Sequence, residues 1–377
     1  MNKSTIENKL TEGNVAWQLI KFALPFMLSN LIQTLYNVAD MLIVGNFTGP
    51  VGISGVNIGG QVTLIITNIV VGLSVGGTVA IAQFLGSEDR KSMNQFIKTL
   101  ITFLMVTAIV LTVVMLILSD PILKLMQTPE ESYGHARDYL DITILGTVFI
   151  FGYNAFAAIM RGLGDSKRPL YFVLIACIVN ILLDLLFVGV FDMAARGAAL
   201  ATIISQAISM FSCIIYLKRS DFEFDFRLNS FRFYKNHFSL LIKLGTPISV
   251  QNVITNLSFI VLTSIANGMG VSASAAIGVV GKYNGFAILP AIAVGSSVSA
   301  MVAQNMGAGL IQRAKKTFHT GFIISFSVSL FVFIITRIFP GQILSMFGDD
   351  PKMIEKGVEY IQTFSIDYLI RTCDLLP

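Results

Sequence analysis

The sequence predicts an all-α polytopic membrane protein: two parallel-repeat six-helix bundles, the second incomplete, with about ten helices present of an expected twelve. Three observations carry this. Hydrophobic residues make up 54% of the 377 positions and charged residues 13%, against about 25% charged in a soluble domain. Long apolar runs follow one another without period-2 alternation, which favours membrane helices over a β-barrel. The two halves of the chain also repeat each other in a constant register.

The first run, 16–45, carries Pro25 and Asp40. The second, 51–83, is rich in small residues, as in Gly72-Leu73-Ser74-Val75-Gly76-Gly77, which let membrane helices pack closely. Runs 96–118 and 136–160 follow, then 169–191 with Asn180 and Asp184, then 195–217. A charged, aromatic-rich connection leads to 241–267, whose Pro247 sits where Pro25 sits in the first run. Runs 271–303, 317–339 and 353–370 complete the set. These limits give a first lobe over 1–217, a cytoplasmic linker over 218–240 and a second lobe over 241–377.

Leu19-Ile20-Lys21-Phe22-Ala23-Leu24-Pro25 recurs as Leu241-Ile242-Lys243-Leu244-Gly245-Thr246-Pro247, an offset of 222, and Asn30 matches Asn252. Further on the offset is 221: Ala82-Gln83 matches Ala303-Gln304, Gly86 matches Gly307, and Tyr139 matches Tyr360. The offset spans an even number of helices, so the repeats share an orientation about an axis along the membrane normal. In this register Pro377 is the mate of Phe156. The second lobe is therefore expected to lack the end of its fourth helix and all of its fifth and sixth. The polar stretch Arg371–Pro377 reads as a premature stop or a shifted frame after about Ile370.

Orientation follows from Lys and Arg. With the N-terminus inside, the inner connections hold 18 of them and the outer connections 6. This predicts a multi-pass plasma-membrane protein with a cytoplasmic N-terminus. The polar first sixteen residues and the long run after them do not fit a cleaved signal peptide. A net charge of +4 without a basic, aromatic-interleaved stripe argues against nucleic acid. Cys177, Cys213 and Cys373 show no CxxC spacing, so neither a disulfide frame nor a metal motif is expected. No nucleophile–base pair or phosphate loop appears, so the chain is not expected to be an enzyme or to carry a cofactor. The expected partners are the lipid bilayer and small molecules, with the chain acting as a monomer.

Asp40 lies in the apolar stretch Leu35–Val44. Asn180 and Asp184 are four residues apart, which places them on one helix face. Asp40 maps onto Leu262 in the second half, so it has no copy there. Intramembrane acids are costly and by default functional. With Asn154 and Thr202 adding oxygens, they could hold Na⁺ or an exchangeable proton. The alternative is that each acid is protonated or caps a neighbouring helix. Lys282 is the basic residue deepest in a run; it could meet an acid or a substrate, or snorkel to the interface. Pro25 and Pro247 can bend their helices.

These residues resemble those of the multidrug and toxic compound extrusion (MATE) family. The likeness rests on Ala23-Leu24-Pro25, Tyr36-Asn37-Val38-Ala39-Asp40, Arg161-Gly162-Leu163-Gly164-Asp165 and Gln304-Asn305-Met306-Gly307-Ala308-Gly309. It implies twelve helices in two lobes and export of cationic, lipophilic compounds in exchange for Na⁺ or H⁺. It implies ion coupling at Asp40, Asn154, Asn180, Asp184 and Thr202, with Na⁺ a possible metal at Asp40, Asn180 and Asp184. The helix bend maps to Pro25, and Gln33, Tyr36 and Lys282 are cleft candidates. The second-lobe carboxylate of some members is missing here, where the chain reads Val250-Gln251-Asn252. A lipid-linked precursor flippase should line its cavity with several Arg or Lys, and only Lys282 is clearly intramembrane. A non-transporting remnant is the other alternative.

Overall fold

The computed structural model describes residues 9–220, 231–347 and 350–374. Among them every regular element is a helix. The first, α1 (Val15–Gly86), has 72 residues and would be roughly 108 Å long if straight, so it must fold back to fit a bilayer. It does so at Gly49, whose φ of 67° and ψ of −166° leave helical geometry just before Pro50. The arms, 15–48 and 50–86, are the first two expected runs. Asn14 caps the first arm, its Oδ1 accepting from the Trp17 amide at 3.1 Å.

Next come α2 (Arg90–Leu125), α3 (Glu130–Leu145) and α4 (Thr147–Gly162). The last two form one span bent by 48° at Gly146. A Cβ there would lie 2.4 Å from Cγ1 of Ile203, so the bend follows from close packing on α6 (Ala194–Arg219). Between them runs α5 (Lys167–Asp184), continued by a π-helical turn over Leu185–Val190. The second half holds α7 (Lys235–Gly268), α8 (Val271–Ala287), α9 (Leu289–Gly307), α10 (Ile311–Ile338), α11 (Pro340–Ser345), α12 (Pro351–Phe364) and α13 (Ile366–Asp374). The eighth run breaks between α8 and α9 beside Pro290, which has no amide to donate. Residues 221–230 of the expected linker lie outside the described residues.

Among the described residues seven helices are long and apolar enough to cross a membrane, and the bent α3–α4 pair makes an eighth. With α1 supplying two arms, nine of the ten expected runs are accounted for. The tenth, 353–370, differs. It is the amphipathic α12 followed by the short α13. Lys352, Glu355, Lys356 and Glu359 share one face of α12, while Met353, Gly357 and Ile361 are buried on the other. Elsewhere the outward surface is apolar: on α5, Ile178 and Leu182 are 53% and 61% exposed. In water such faces would be anomalous; in a bilayer they are expected.

The repeat is written in the backbone as well. Gly49 and Gly270 both have positive φ (67° and 100°) and are 221 residues apart; so are Glu88 and Gly309 (56° and 72°). The halves meet through a reciprocal contact. A Cβ at Gly86 would lie 1.9 Å from the carbonyl oxygen of Gln304, and one at Gly307 would lie 2.0 Å from that of Gln83. Gln83 and Gln304 are themselves repeat mates, so the same contact is made twice with roles exchanged. Nearby, Gly72 and Gly76 receive the backbone of Ser249 and Gly245 on α7. The segment 9–14 also straps the halves together. The Leu10 amide donates to Gln304 Oε1 at 2.6 Å, and Arg313 donates to the carbonyls of Glu12 and Gly13 at 2.7 and 2.8 Å.

Two predictions follow from this packing. Gly86→Ala is expected to destabilise by about 1–3 kcal/mol, the usual range for overpacking, because its new atom meets rigid backbone. Gly134→Ala, where a Cβ meets nothing within 4 Å, should be neutral or stabilising; thermal unfolding of both in detergent checks this. The second concerns Asp89, the cap of α2. Its carboxylate accepts from the Ser92 amide at 3.0 Å, which holds it below the usual carboxylate range. Its stabilising share is therefore present at neutral pH and lost as pH falls through that depressed value, below about pH 4. Asp89→Asn keeps a good capping residue and should unfold with a smaller drop in midpoint between pH 7 and pH 3.

Candidate cation site and cavity

Helix α5 turns its polar side chains inward. Asn180 and Asp184 are 1% and 0% exposed, while Ile178, Leu182 and Leu185 between and beyond them face out. The fold of α1 onto α5 brings Asp40, 7% exposed, to the same place. Asp40 and Asp184 lie within electrostatic reach of each other. Yet Asp40 Oδ1, both carboxyl oxygens of Asp184 and both amide atoms of Asn180 lack any donor or acceptor partner. Buried polar atoms are normally satisfied, and two facing carboxylates repel. A proton shared between them, or a cation among their oxygens, would relieve both deficits.

The surrounding side chains come from four helices. From α3, the Tyr139 hydroxyl faces Thr202 on α6 and lies near Asp40, Asp184 and Tyr36. Tyr36, one turn before Asp40, faces Gln206 on α6. The donors are thus carboxylate, amide and hydroxyl oxygens, a hard set that suits an alkali cation or a proton better than a soft metal. Among the described residues no three His, Cys, Asp or Glu side chains gather at one point. The π-helical turn begins directly after Asp184; such wide turns recur at functional positions.

A cavity with about 710 Å³ of empty space, part of it open to solvent, lies between both arms of α1, α4 and α9. Phe22, Phe26 and Tyr153 give it aromatic walls, and Asn30, Gln33 and Asn154 line it with amides. Arg161, at the end of α4, places its guanidinium 5.0 Å from the Phe26 ring centroid. On α1 the Ser29 hydroxyl donates to the Pro25 carbonyl at 2.9 Å, a bond that eases bending next to a proline. The backbone nonetheless stays helical through Pro25.

The structure therefore gathers Asp40, Asn180, Asp184 and Tyr36, with Thr202 joined through Tyr139. Gln33 and Asn154 line the cavity instead, and the Asn154 amide donates to the Ile150 carbonyl at 2.8 Å. Lys282 is exposed on α8 and is not among the cavity-lining residues. Sequence reasoning passed over Tyr139 and Gln206 as site residues. Tyr139 had one signal, its match to Tyr360, which marked the repeat without marking a role. Arg161 had stood only as part of a motif and of the basic inner connections.

A family model described as MatE matches residues 25–186 and 247–376. The two matches begin 222 residues apart, at Pro25 and Pro247. The chain is 29% identical over 95% of its length to a probable multidrug resistance protein, YpnP, of Bacillus subtilis (strain 168), spanning 80% of that protein. It is 25% identical over 93% of its length to an FAD transporter of Shewanella oneidensis, spanning 78% of it. Its fold is similar to that of an outward-facing multidrug resistance MATE family transporter of the MOP superfamily, with a TM-score of 0.88, 20% identity, and coverage of 98% of this chain and 83% of the other. With the family matched in both halves of a helical, repeat-built membrane protein, the chain belongs to the MATE family of transporters.

Proposed function

We propose that the chain is a secondary transporter that exports small amphipathic drugs or metabolites in exchange for Na⁺ or H⁺. The observation that carries this is the set of buried, unpartnered oxygens on Asp40, Asn180 and Asp184. A desolvated carboxylate pair binds a cation or a proton far better than it tolerates being empty. An ion drives a conformational cycle only by binding its two states differently. Here the first arm of α1, which carries Asp40, also lines the cavity through Phe26 and Gln33. Ion entry between α1 and α5 would pull the arm towards α5 and reshape the cavity wall, with Pro25 and Ser29 absorbing the bend. Tyr139 and Thr202 hold the ion from the α3 and α6 side. The lobes then alternate about the tight Gly86–Gly307 contact, with the basic end cytoplasmic in the plasma membrane.

The energy available is adequate. One charge moving inward across 100 mV supplies about 2.3 kcal/mol, roughly fifty-fold in substrate gradient. The curated relatives support the direction and the breadth of cargo, since one is a probable multidrug resistance protein and another an FAD transporter. Cationic lipophilic compounds are the cargo that the family likeness implies. FAD, an anion, widens the class to metabolites.

The test is dye efflux from proteoliposomes that contain the chain, with Na⁺ and pH gradients imposed separately and ethidium and fluorescein as alternative cargoes. Efflux of either dye that follows one gradient supports the reading and names the ion. Asp184→Asn and Asp40→Asn should each abolish the gradient dependence, by about tenfold or more in rate. Gradient-driven efflux that survives both substitutions would remove the site from the mechanism. No gradient-driven efflux of either dye would overturn the transport reading. Lys282→Ala, at an exposed position outside the cavity lining, is expected to change efflux less than twofold.

A further inference from the structure

The coupling reaction makes no use of Arg161. It is the charged side chain among the residues that line the cavity, and the lining holds no Asp or Glu. The nearest acid along the chain, Asp165, is already committed. Its Oδ2 accepts from Arg168 Nη1 at 2.6 Å, and its Oδ1 accepts from the amides of Lys167 and Arg168 at 3.1 and 3.2 Å. The ionisable side chains that act on Arg161 are Tyr153 and Cys213, neither of them a carboxylate. Among the described residues no acid pairs with Arg161. The guanidinium rests against the Phe26 ring instead.

Arg161 is half-buried, so its guanidinium is partly shielded from water and has no counter-charge among the described residues. The planar fork of Arg is shaped to take two oxygens of a carboxylate or phosphate. We propose that the cavity is an anion-accepting binding site, in which Arg161 holds a carboxylate or phosphate group of a ligand whose apolar body lies on Phe22 and Phe26. Asn30 and Gln33 offer neutral hydrogen bonds along the same wall, one and two turns closer to Asp40. The first arm of α1 separates this site from Asp40 by roughly 10 Å between Gln33 and the acid. Anion and coupling cation thus occupy different depths along the first arm of α1. A cationic group placed at Arg161 would meet like charge with no acid to offset it. The inference deepens the transport reading, on which it rests for the consequence that anions are exported; binding itself is read without transport.

The experiment measures binding to the purified full chain in detergent by fluorescence polarisation, with fluorescein as the anionic probe and ethidium as the cationic one. Wild type is expected to bind fluorescein more tightly than ethidium. Arg161→Gln should weaken fluorescein by about tenfold or more, the scale of a lost charge-assisted hydrogen bond, without weakening ethidium. Arg161→Lys keeps the charge without the fork and should fall between. Gln33→Glu leaves Arg161 in place but brings a carboxylate into the cavity, and should also weaken fluorescein; it carries the test if Arg161→Gln fails to fold. Competition by benzoate, by inorganic phosphate or by phosphatidylglycerol vesicles assigns the oxyanion to a carboxylate, a free phosphate or a lipid headgroup. Displacement by none of the three overturns the proposal. So does unchanged fluorescein binding in Arg161→Gln and Gln33→Glu, or tighter binding of ethidium than fluorescein by wild type. Fluorescein binding without gradient-driven efflux would overturn the transport reading and leave this site standing. Efflux of ethidium without fluorescein binding would do the reverse.

Discussion

Everything in the fold hangs from the close approach of α1 and α9 at Gly86 and Gly307. Each glycine accepts the other half's glutamine carbonyl at a separation that no Cβ permits. The contact is reciprocal because Gly86 and Gly307, like Gln83 and Gln304, are repeat mates. Two similar halves related by an axis along the membrane normal can meet in this self-complementary way. The strap over 9–14 and the α1–α7 contact at Gly72 and Gly76 reinforce the same end of the molecule. With the halves joined there, the polar groups of the first half can be buried by α1, α3, α5 and α6 alone. The acid cluster therefore needs no residue from the second half.

That division explains an asymmetry in chemistry between two halves that share a backbone plan. Asp40 has Leu262 as its mate, and Leu262 is 38% exposed on α7. The first half holds two facing carboxyls with unpartnered oxygens. In the second half two buried contacts join neutral groups: the Tyr368 hydroxyl donates to Asn284, and the Tyr283 and Thr336 hydroxyls meet at 2.7 Å. Polar atoms lack partners there too, among them Asn284 Nδ2 and Ser325 Oγ, but none of them is a carboxylate oxygen. The first half leaves its oxygens available, which is unfavourable for a scaffold and useful for binding a cation.

Much of this was legible in the sequence, for physical reasons. Membrane helices leave long apolar runs, so the spans and their order were readable, and a constant offset made the repeat readable too. Asp40, Asn180 and Asp184 were visible because carboxylates in apolar runs are rare and costly. The turn at Gly49 falls in the gap between the runs 16–45 and 51–83, but the bend at Gly146 left no such gap, since its cause is Ile203 on a helix distant in sequence. The run 353–370 is helical but divided between α12 and α13, and its charges form one face only once the helix is wound. Tyr139 and Gln206 sit among ordinary helix residues, and only packing shows what they face. Arg161 counted as an inner, orienting cation because its distance from any carboxylate is a property of three dimensions.

In the cycle proposed above, the two sites together set the electrical character of transport. Tyr36 lies within electrostatic reach of Asp40, Asp184 and Tyr153, and Tyr153 of Arg161. The acid pair and the cavity cation thus each lie within electrostatic reach of one of these two tyrosines. Exchange of one monovalent cation for a cationic drug moves no net charge. Exchange of the same cation for a monoanion moves two: positive charge inward and negative charge outward. With the cell interior negative, both steps run downhill in the membrane potential, for about 4.6 kcal/mol per 100 mV, twice the single-charge value. A carboxylate pair that takes the ion and a lone guanidinium that takes the cargo are therefore not in conflict. Their opposite signs keep ion and cargo from competing for one site, and the membrane potential favours the export of an anion over that of a cation.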